Sequence, residues 1–382
     1  MSIYLDHAAT TPMVAGAIEA MSAQLEKLGN PSSLHTQGRA VRKELEQARE
    51  QLAKAIGCHA SEIIFTGSGT EANNTALKGL FWKNRPLGRN VVVISAIEHH
   101  AILDPAHWLH DHDGAEIVSI AVTEKGIVDL DALKSLIDTR GDEIAVISVM
   151  HSNNETGVIQ PIAQIVQLAN LAQIPVHSDS VQSFCKVPLS FSELGLTAMT
   201  LSAHKIGGPL GIGILVLKRG IDIPAILHGG GQERDIRSGT LNAPSIVGFA
   251  VASSLPIPVE QIAQLREVFA TGILKAIPDA YINGGSANEH LPGIVNITFP
   301  GTESDTLLLL LDGQGISAST GSACTAGVQR PSHVLLAMGH NDKTARSSLR
   351  FSLGATTTRL EIEKVIELMP AVINQARTAN LR

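Results

Sequence analysis

"AMTLSAHKIGGPLGIGILVLKRG", residues 198–220, sets two apolar runs on either side of a lysine and a glycine-rich turn. Short apolar runs bounded by glycine or polar turns read as buried strands, here 198–205 and 211–220. The same texture recurs upstream in "EIIFTGSGT" (62–70), "NVVVISAIEHH" (90–100), "EIAVISVMHSNNETG" (143–157) and "IPVHSDS" (174–180). Helical patterns alternate with these runs. Between Gln37 and Ile56, Val41, Leu45, Ala48, Leu52 and Ile56 fall at three- and four-residue spacing, and Gly57 stops the pattern. Buried strands alternating with helices predict an α/β architecture with a mostly parallel sheet flanked by helices.

From about residue 255 the texture changes. "SSLPIPVE" (253–260) is a proline-rich break, followed by a helical stretch, a strand at "GIVNITF" (293–299), a helix near 304–312, a strand near 315–319 and a helix near 359–377. This reads as a smaller α+β domain. The expected division is a large domain over 15–255 and a small one built from 1–14 and 256–382.

The 382 residues are 44% hydrophobic, enough for a large core, and at roughly 100–200 residues per domain two domains are expected. Twenty-nine basic against 36 acidic residues leave a net charge of −7 without long runs of either sign. That argues against nucleic acid or an anionic membrane as a partner. Cys58, Cys185 and Cys324 are widely spaced and odd in number, which is no disulfide framework and points to a reducing compartment. The longest apolar run, "LLLLL" at 307–311, is too short to span a bilayer, and "MSIYLDHAATTP" lacks the pattern of a signal peptide. A soluble, cytoplasmic protein is expected.

The polar residues cluster just after the strands, where such sheets place ligands. Lys205, directly after a strand and before glycines, is either a charge at a strand end or an amine that forms a Schiff base with a carbonyl cofactor. Ser202 and His204 beside it would then donate to a phosphate. Asp179 in "HSDSVQS" (177–183) is either a helix cap or the partner of a protonated pyridine nitrogen, which keeps that ring an electron sink. Gln182, three residues on, could reach a ring hydroxyl. "TGSGTEANN" (66–74) is a strand, a glycine turn and a helix start, so Gly69 and Thr70 are candidate phosphate holders, although a Walker sequence and a dinucleotide fingerprint are both absent. His99 and His100 follow another strand, where a ring could stack on a flat cofactor or serve a structural role. "NNETG" (153–157) adds polar groups to the same edge. His107, His110 and His112 in "HWLHDHDG" match no zinc spacing and read as solvated helix residues, so no metal is expected. Taken in order, phosphate turn, stacking histidine, polar pair, aspartate and lysine fit pyridoxal 5′-phosphate.

At this point the chain resembles a known family. "YLDHAATTP", "NPSSLHTQGR", "TGSGTEANN", "EHHAILD", "NNETGVIQPI", "HSDSVQS", "SAHKIGGPLGIG", "GGGQERDIRSGTLN", "GSACTAG" with "PSHVL", and "LRFSLG" are similar, in order, to the motifs of the cysteine desulfurases. The likeness is to the NifS/IscS-like branch of the fold-type I, pyridoxal phosphate-dependent transferases within the class-V aminotransferase family, and runs from residue 4 to about 354. It implies an L-cysteine desulfurase that converts L-cysteine to L-alanine for iron–sulfur cluster assembly or another sulfur-transfer pathway. Lys205 would hold the cofactor and move the substrate's Cα proton, Asp179 would pair with the ring nitrogen, and Gln182 with the ring hydroxyl. His99 would stack on the ring and act in proton transfers. Thr70, Ser202 and His204 would hold the phosphate, with Thr240 reaching it from the other subunit of a homodimer. Asn154 and Arg350 would hold the substrate carboxylate. Cys324 would accept the sulfur as a persulfide and pass it to an acceptor or scaffold protein.

Three departures stand out. Ala355 and Thr356 follow "LRFSLG" where the family usually has Arg-Phe, Cys185 stands where it usually has glycine, and Asp235 likewise. The chain is also shorter than members with a scaffold-binding tail. Cys58 and Cys185 read as structural. The competing enzyme reading is a pyridoxal phosphate-dependent C–S lyase or aminotransferase that does not use Cys324. The non-enzymatic reading is a chain kept as a binding partner, against which stands the retention of Lys205, Asp179 and Cys324 together.

Overall fold

The computed structural model describes residues 2–285, 289–321 and 331–380. Among the described residues, twelve strands form: β1 (Ile3–Tyr4), β2 (Ile63–Thr66), β3 (Val91–Ser95), β4 (Glu116–Ile120), β5 (Ile144–Ser148), β6 (Val176–Asp179), β7 (Ala198–Ser202), β8 (Gly213–Leu217), β9 (Tyr281–Asn283), β10 (Ile294–Thr298), β11 (Ile316–Ser317) and β12 (Ser348–Ser352). Seven of them form one sheet in the order β2-β8-β7-β6-β5-β3-β4. The strands from β7 through β4 in that order pair in parallel, and β8 runs antiparallel to both β7 and β2. Reversing twice returns β2 to the direction of β7. The C-terminal ends of β2, β3, β5, β6 and β7 therefore share one edge of the sheet.

Alternate strand residues point to opposite faces. Val91, Val93, Met199, Leu201, Ile214 and Val216 join a core with helix α1 (Ala15–Leu25), helix α2 (Thr36–Ile56), and the helices Ile162–Leu171 and Ala243–Ser254. Val92, Ile94, Ala145, Val146, Leu215 and Leu217 join the opposite core with α3 (Gly69–Asn84) and α4 (His100–Asp113). Each fully buried Leu, Ile or Val contributes about 1.5–3 kcal/mol, which is why strands covered on both faces are apolar throughout. β4 differs. "EIVSI" is partly exposed and lies at the sheet edge, so its mixed pattern gives no buried-strand signal.

A separate core forms under the antiparallel sheet β12-β10-β9, with Phe269, Ile273, Leu307, Phe351, Val365 and Met369, and Ile3 and Leu5 from the start of the chain join it. β1 pairs with β11 in parallel, Ile3 opposite Ile316. The N-terminal segment thus begins in this second unit and then crosses to the large sheet. Among the described residues, no single helix is long and apolar enough to cross a membrane.

Candidate active site

The shared strand edge opens into a cleft of about 490 Å³ lined by Gly69, Thr70, His99, Asn154, Asp179, Gln182, Ser202, His204, Lys205 and Arg350. Ten of the twelve residues singled out in the sequence meet there. Thr240 is exposed and is not among the lining residues of its own chain. Cys324 lies outside the described residues, but Ser319 and Gly321 just before it line the cleft.

β7 ends at Ser202, and a single 3-10 turn, Ala203–Lys205, carries the lysine into the cleft. Lys205 Nζ donates to the carbonyls of Ala8 (2.6 Å) and Ala9 (2.7 Å). Burial first, then the positive charges of Lys186 and Arg350, pull its amine down to about 7. An amine half neutral near pH 7 is a nucleophile, unlike an exposed lysine. Lys186, one turn beyond Gln182, is lowered by burial to about 8. Gln182 lies between these groups: its Nε2 donates to Ala8 O (2.9 Å) and its Oε1 accepts from Lys186 Nζ (3.4 Å).

Asp179 is the last residue of β6 and only 7% exposed. Oδ2 accepts from Asn73 Nδ2 (2.6 Å), and Oδ1 accepts from Val181 N (3.0 Å). Asp179 closes a local turn with Val181 rather than capping a helix, since residues 181–186 form turns, and its second oxygen is turned toward α3. Asn73 sits one turn into that helix, and its Oδ1 is buried without a hydrogen-bond partner. Its role escaped sequence reading, although its position three residues after Thr70 puts it on the same helix face.

Ser68 caps α3 by accepting from Glu71 N, which leaves Gly69 and Thr70 at the helix start facing the cleft. Helix-start N–H groups have no intrahelical acceptor and favour an anion. Two glycines permit this packing. A Cβ on Gly213 would fall 2.8 Å from Gly69 N, and one on Gly69 would fall 3.0 Å from Val181 Cγ2. His204 Nδ1 contacts Thr10 Oγ1 (3.2 Å), and burial holds its ring at about 4, hence neutral.

His99 is the cap of α4, its Nδ1 accepting from Ala101 N (3.0 Å). Burial lowers its pKa, against the opposing pull of Asp179. Glu98 beside it is fully buried: Oε1 accepts from Ser95 Oγ (2.5 Å) and Met150 N (2.8 Å), and burial raises the carboxyl to about 8. Arg350, in β12, brings the second unit to the cleft. Its guanidinium donates to Asn154 O (2.9 Å) and to Asp6 Oδ1 (2.6 Å), while its buried Nε has no partner among the described residues. Asp6, in the quoted "YLDHAATTP", also went without a role in the sequence reading.

The donor set fits pyridoxal phosphate. A helix start with Ser202 and His204 suits a phosphate, Asp179 suits a ring cation, and Lys205 suits an aldehyde. Arg350, with one buried donor unpaired, suits a carboxylate. Outside the cleft, His110 Nδ1 meets Ala115 O (2.8 Å) and His112 stacks on Trp108. Cys58 and Cys185 are half-buried thiols pushed up to about 12 by burial. Two of the departures share a backbone cause. Cys185 (φ 60°) and Asp235 (φ 59°) occupy left-handed positions that favour the glycine usual in the family.

Comparison with known proteins agrees with this geometry. The class-V aminotransferase family model matches residues 3–365. An IscS-like cysteine desulfurase of Mycobacterium tuberculosis is 45% identical over 99% of this chain and 98% of its own. A NifS cysteine desulfurase of Azotobacter vinelandii is 39% identical over 99% and 94%. Among solved structures, a NifS-like protein superposes with a TM-score of 0.90 at 32% identity, covering 98% of this chain and all of its own. SspA, solved in complex with cysteine, gives 0.81 at 31% identity, over 94% of this chain and all of its own. The fold is that of these NifS-like proteins, and the chain belongs to the class-V aminotransferases, among the IscS/NifS-type cysteine desulfurases.

Proposed function

We propose that this chain is an L-cysteine desulfurase that uses pyridoxal phosphate and Cys324, with the sulfur destined for iron–sulfur cluster assembly or another transfer pathway. The observation that carries the reading is the meeting of Lys205, Asp179, His99 and Arg350 in one cleft whose wall includes Gly321, three residues before Cys324. The N–H groups of Gly69 and Thr70, with Ser202 and His204, would hold the cofactor's phosphate. Asp179, fixed by Asn73, would hold positive charge at the ring nitrogen, and Gln182 would serve the ring hydroxyl. Bound pyridoxal phosphate supplies an electron sink for the charge left when a proton leaves the substrate's α-carbon. Lys205, as the neutral amine, would carry that proton, and His99 would face the ring and exchange protons. Arg350 and Asn154 hold the substrate carboxylate.

Cys324 as thiolate then attacks the substrate's Sγ. The substrate's Cβ–Sγ bond would break with its electron pair left to the substrate, an S–S bond would form on Cys324, and Cβ would gain a proton. The balance is cysteine plus enzyme thiol to alanine plus enzyme persulfide, without an external oxidant. A cleft lined by Lys205 and Arg350 favours the thiolate over the thiol. The persulfide then passes to an acceptor or scaffold protein.

We also propose a cytoplasmic homodimer in which the exposed Thr240 reaches the phosphate bound by the other subunit. The separate apolar cores support the division into 15–255 and 1–14 with 256–382. The deciding experiment is Cys324→Ser. The variant is expected to keep the cofactor's absorbance and lose alanine release from cysteine. Wild-type turnover by it would favour instead a C–S lyase or aminotransferase that does without Cys324.

A further inference from the structure

Glu155 is fully buried yet belongs neither to the cofactor set nor to the substrate set. Its Oε2 accepts from Ser332 Oγ at 2.5 Å. The same carboxyl packs against Gly321, where an added Cβ would fall 2.9 Å from Oε2 and 3.1 Å from Cδ. Gly321 (φ 86°) and Ser332 flank segment 322–330, which contains Cys324, so one side chain touches both flanks.

Each flank is tied a second time. On the N-terminal side, Ser319 exchanges backbone hydrogen bonds with Arg350 (2.7 and 3.1 Å), and Gly321 N donates to Ser319 Oγ (3.0 Å). On the C-terminal side, His333 Nε2 donates to Glu98 O (2.9 Å), immediately before His99, and the His333 ring meets His100 edge to face. Glu155 is itself held by Asn153, whose Oδ1 accepts from Glu155 N and Thr156 N and whose Nδ2 donates to Ile97 O (3.1 Å). The turn that carries Asn154, the turn that carries His99 and both flanks of the cysteine segment are thereby one hydrogen-bonded assembly.

We propose that Glu155 is a positioning residue that fixes both flanks of segment 322–330, Gly321 and Ser332, and so sets the approach of Cys324 to the substrate sulfur. This rests on the reading of Cys324 as sulfur acceptor. Three residues span at most about 11 Å of extended chain, so fixing Gly321 bounds the reach of Cys324 from the N-terminal side. Burial raises the Glu155 carboxyl, and the Ser332 hydroxyl, with the nearby His333, Arg350 and His100, opposes that rise. In either protonation state the carboxyl keeps an acceptor for Ser332.

The test uses the holoenzyme with one equivalent of L-cysteine. Persulfide on Cys324 is followed by alkylation and mass spectrometry, and L-alanine binding by the cofactor's absorbance. Ser332→Ala and Glu155→Ala are expected to slow persulfide formation by about ten- to a hundredfold, the scale of a misplacement near 1 Å. The half-saturation for L-alanine should stay within about twofold, and Ser332→Thr and Glu155→Gln, which keep the hydrogen bond, should retain wild-type persulfide rates. Should Glu155→Ala fail to fold, Ser332→Ala alone decides. The proposal is overturned if Ser332→Ala forms persulfide at the wild-type rate, or if L-alanine binding collapses in step with it. Should Cys324→Ser be inactive while Ser332→Ala is fully active, only the positioning role fails. Turnover by Cys324→Ser would overturn the sulfur-acceptor reading itself.

Discussion

Two cavities meet at Ala8 and Lys205, and they are made of different material. The strand-edge cleft presents His99, Asp179, His204 and Arg350. The other, about 350 Å³, lies where the cores of the two units approach, and its walls are chiefly Pro12, Met13, Ile257, Leu291, Ile294 and Leu353. Its polar lining includes His7, held neutral near 4 by burial, and Lys186. Ala355 and Thr356, the pair that replaces the family's Arg-Phe, also border it. Polarity in this molecule follows the strand ends, while the seam between the units is apolar. Lys205 sits on the boundary, and its low proton affinity draws on both sides.

The sharpest way to break this contrast is Lys205→Ala. It is expected to lower alanine production from cysteine by roughly 10³-fold or more, because no other lysine Nζ is held on the Ala8 and Ala9 carbonyls. Retention of turnover, measured as alanine released, would remove the lysine from the chemistry. A smaller effect is expected from Lys186→Gln. The charged groups acting on Lys205 are Lys186 and Arg350, which lower its pKa, and Asp179 and Asp6, which raise it. In the wild type, the rate of cofactor uptake by the apo-protein should rise with pH through about 7, where the amine loses its proton. Removing the Lys186 charge makes the ammonium easier to keep, so the rise should move to higher pH. An unchanged profile, followed by absorbance, would dissociate the two lysines. The smallest effect is expected from Thr356→Phe, which places an aromatic ring at the apolar cavity. Cysteine turnover should hold, and stability in urea should change by no more than about 1 kcal/mol.

The parts of this fold legible in the sequence are those in which one physical pattern dominates. β3, β5 and β7 are apolar on both faces, so a continuous run marked them, and α2 carries its buried stripe at helical spacing. β4 mixes exposed and buried positions, and β9 is three residues long with two exposed, so neither leaves a usable signal. β12 was visible only as "LRFSLG", a motif without an assigned conformation, because its pairing partner β10 lies more than fifty residues away. The site followed the same rule. Residues just after strands could be placed at one edge by topology alone. Asn73, Asp6 and Glu155 act through contacts made across the fold, at separations that no local pattern encodes.

The ion pair of Asp6 with Arg350 joins residues 344 positions apart. At about 5–20 residues per second, a ribosome needs roughly 20–70 s to make the second partner after the first. The carbonyls of Ala8 and Ala9, the strand ends and Lys205 are all synthesised well before Arg350. The wall of the cleft that the large sheet supplies therefore leaves the ribosome long before the wall that the second unit supplies.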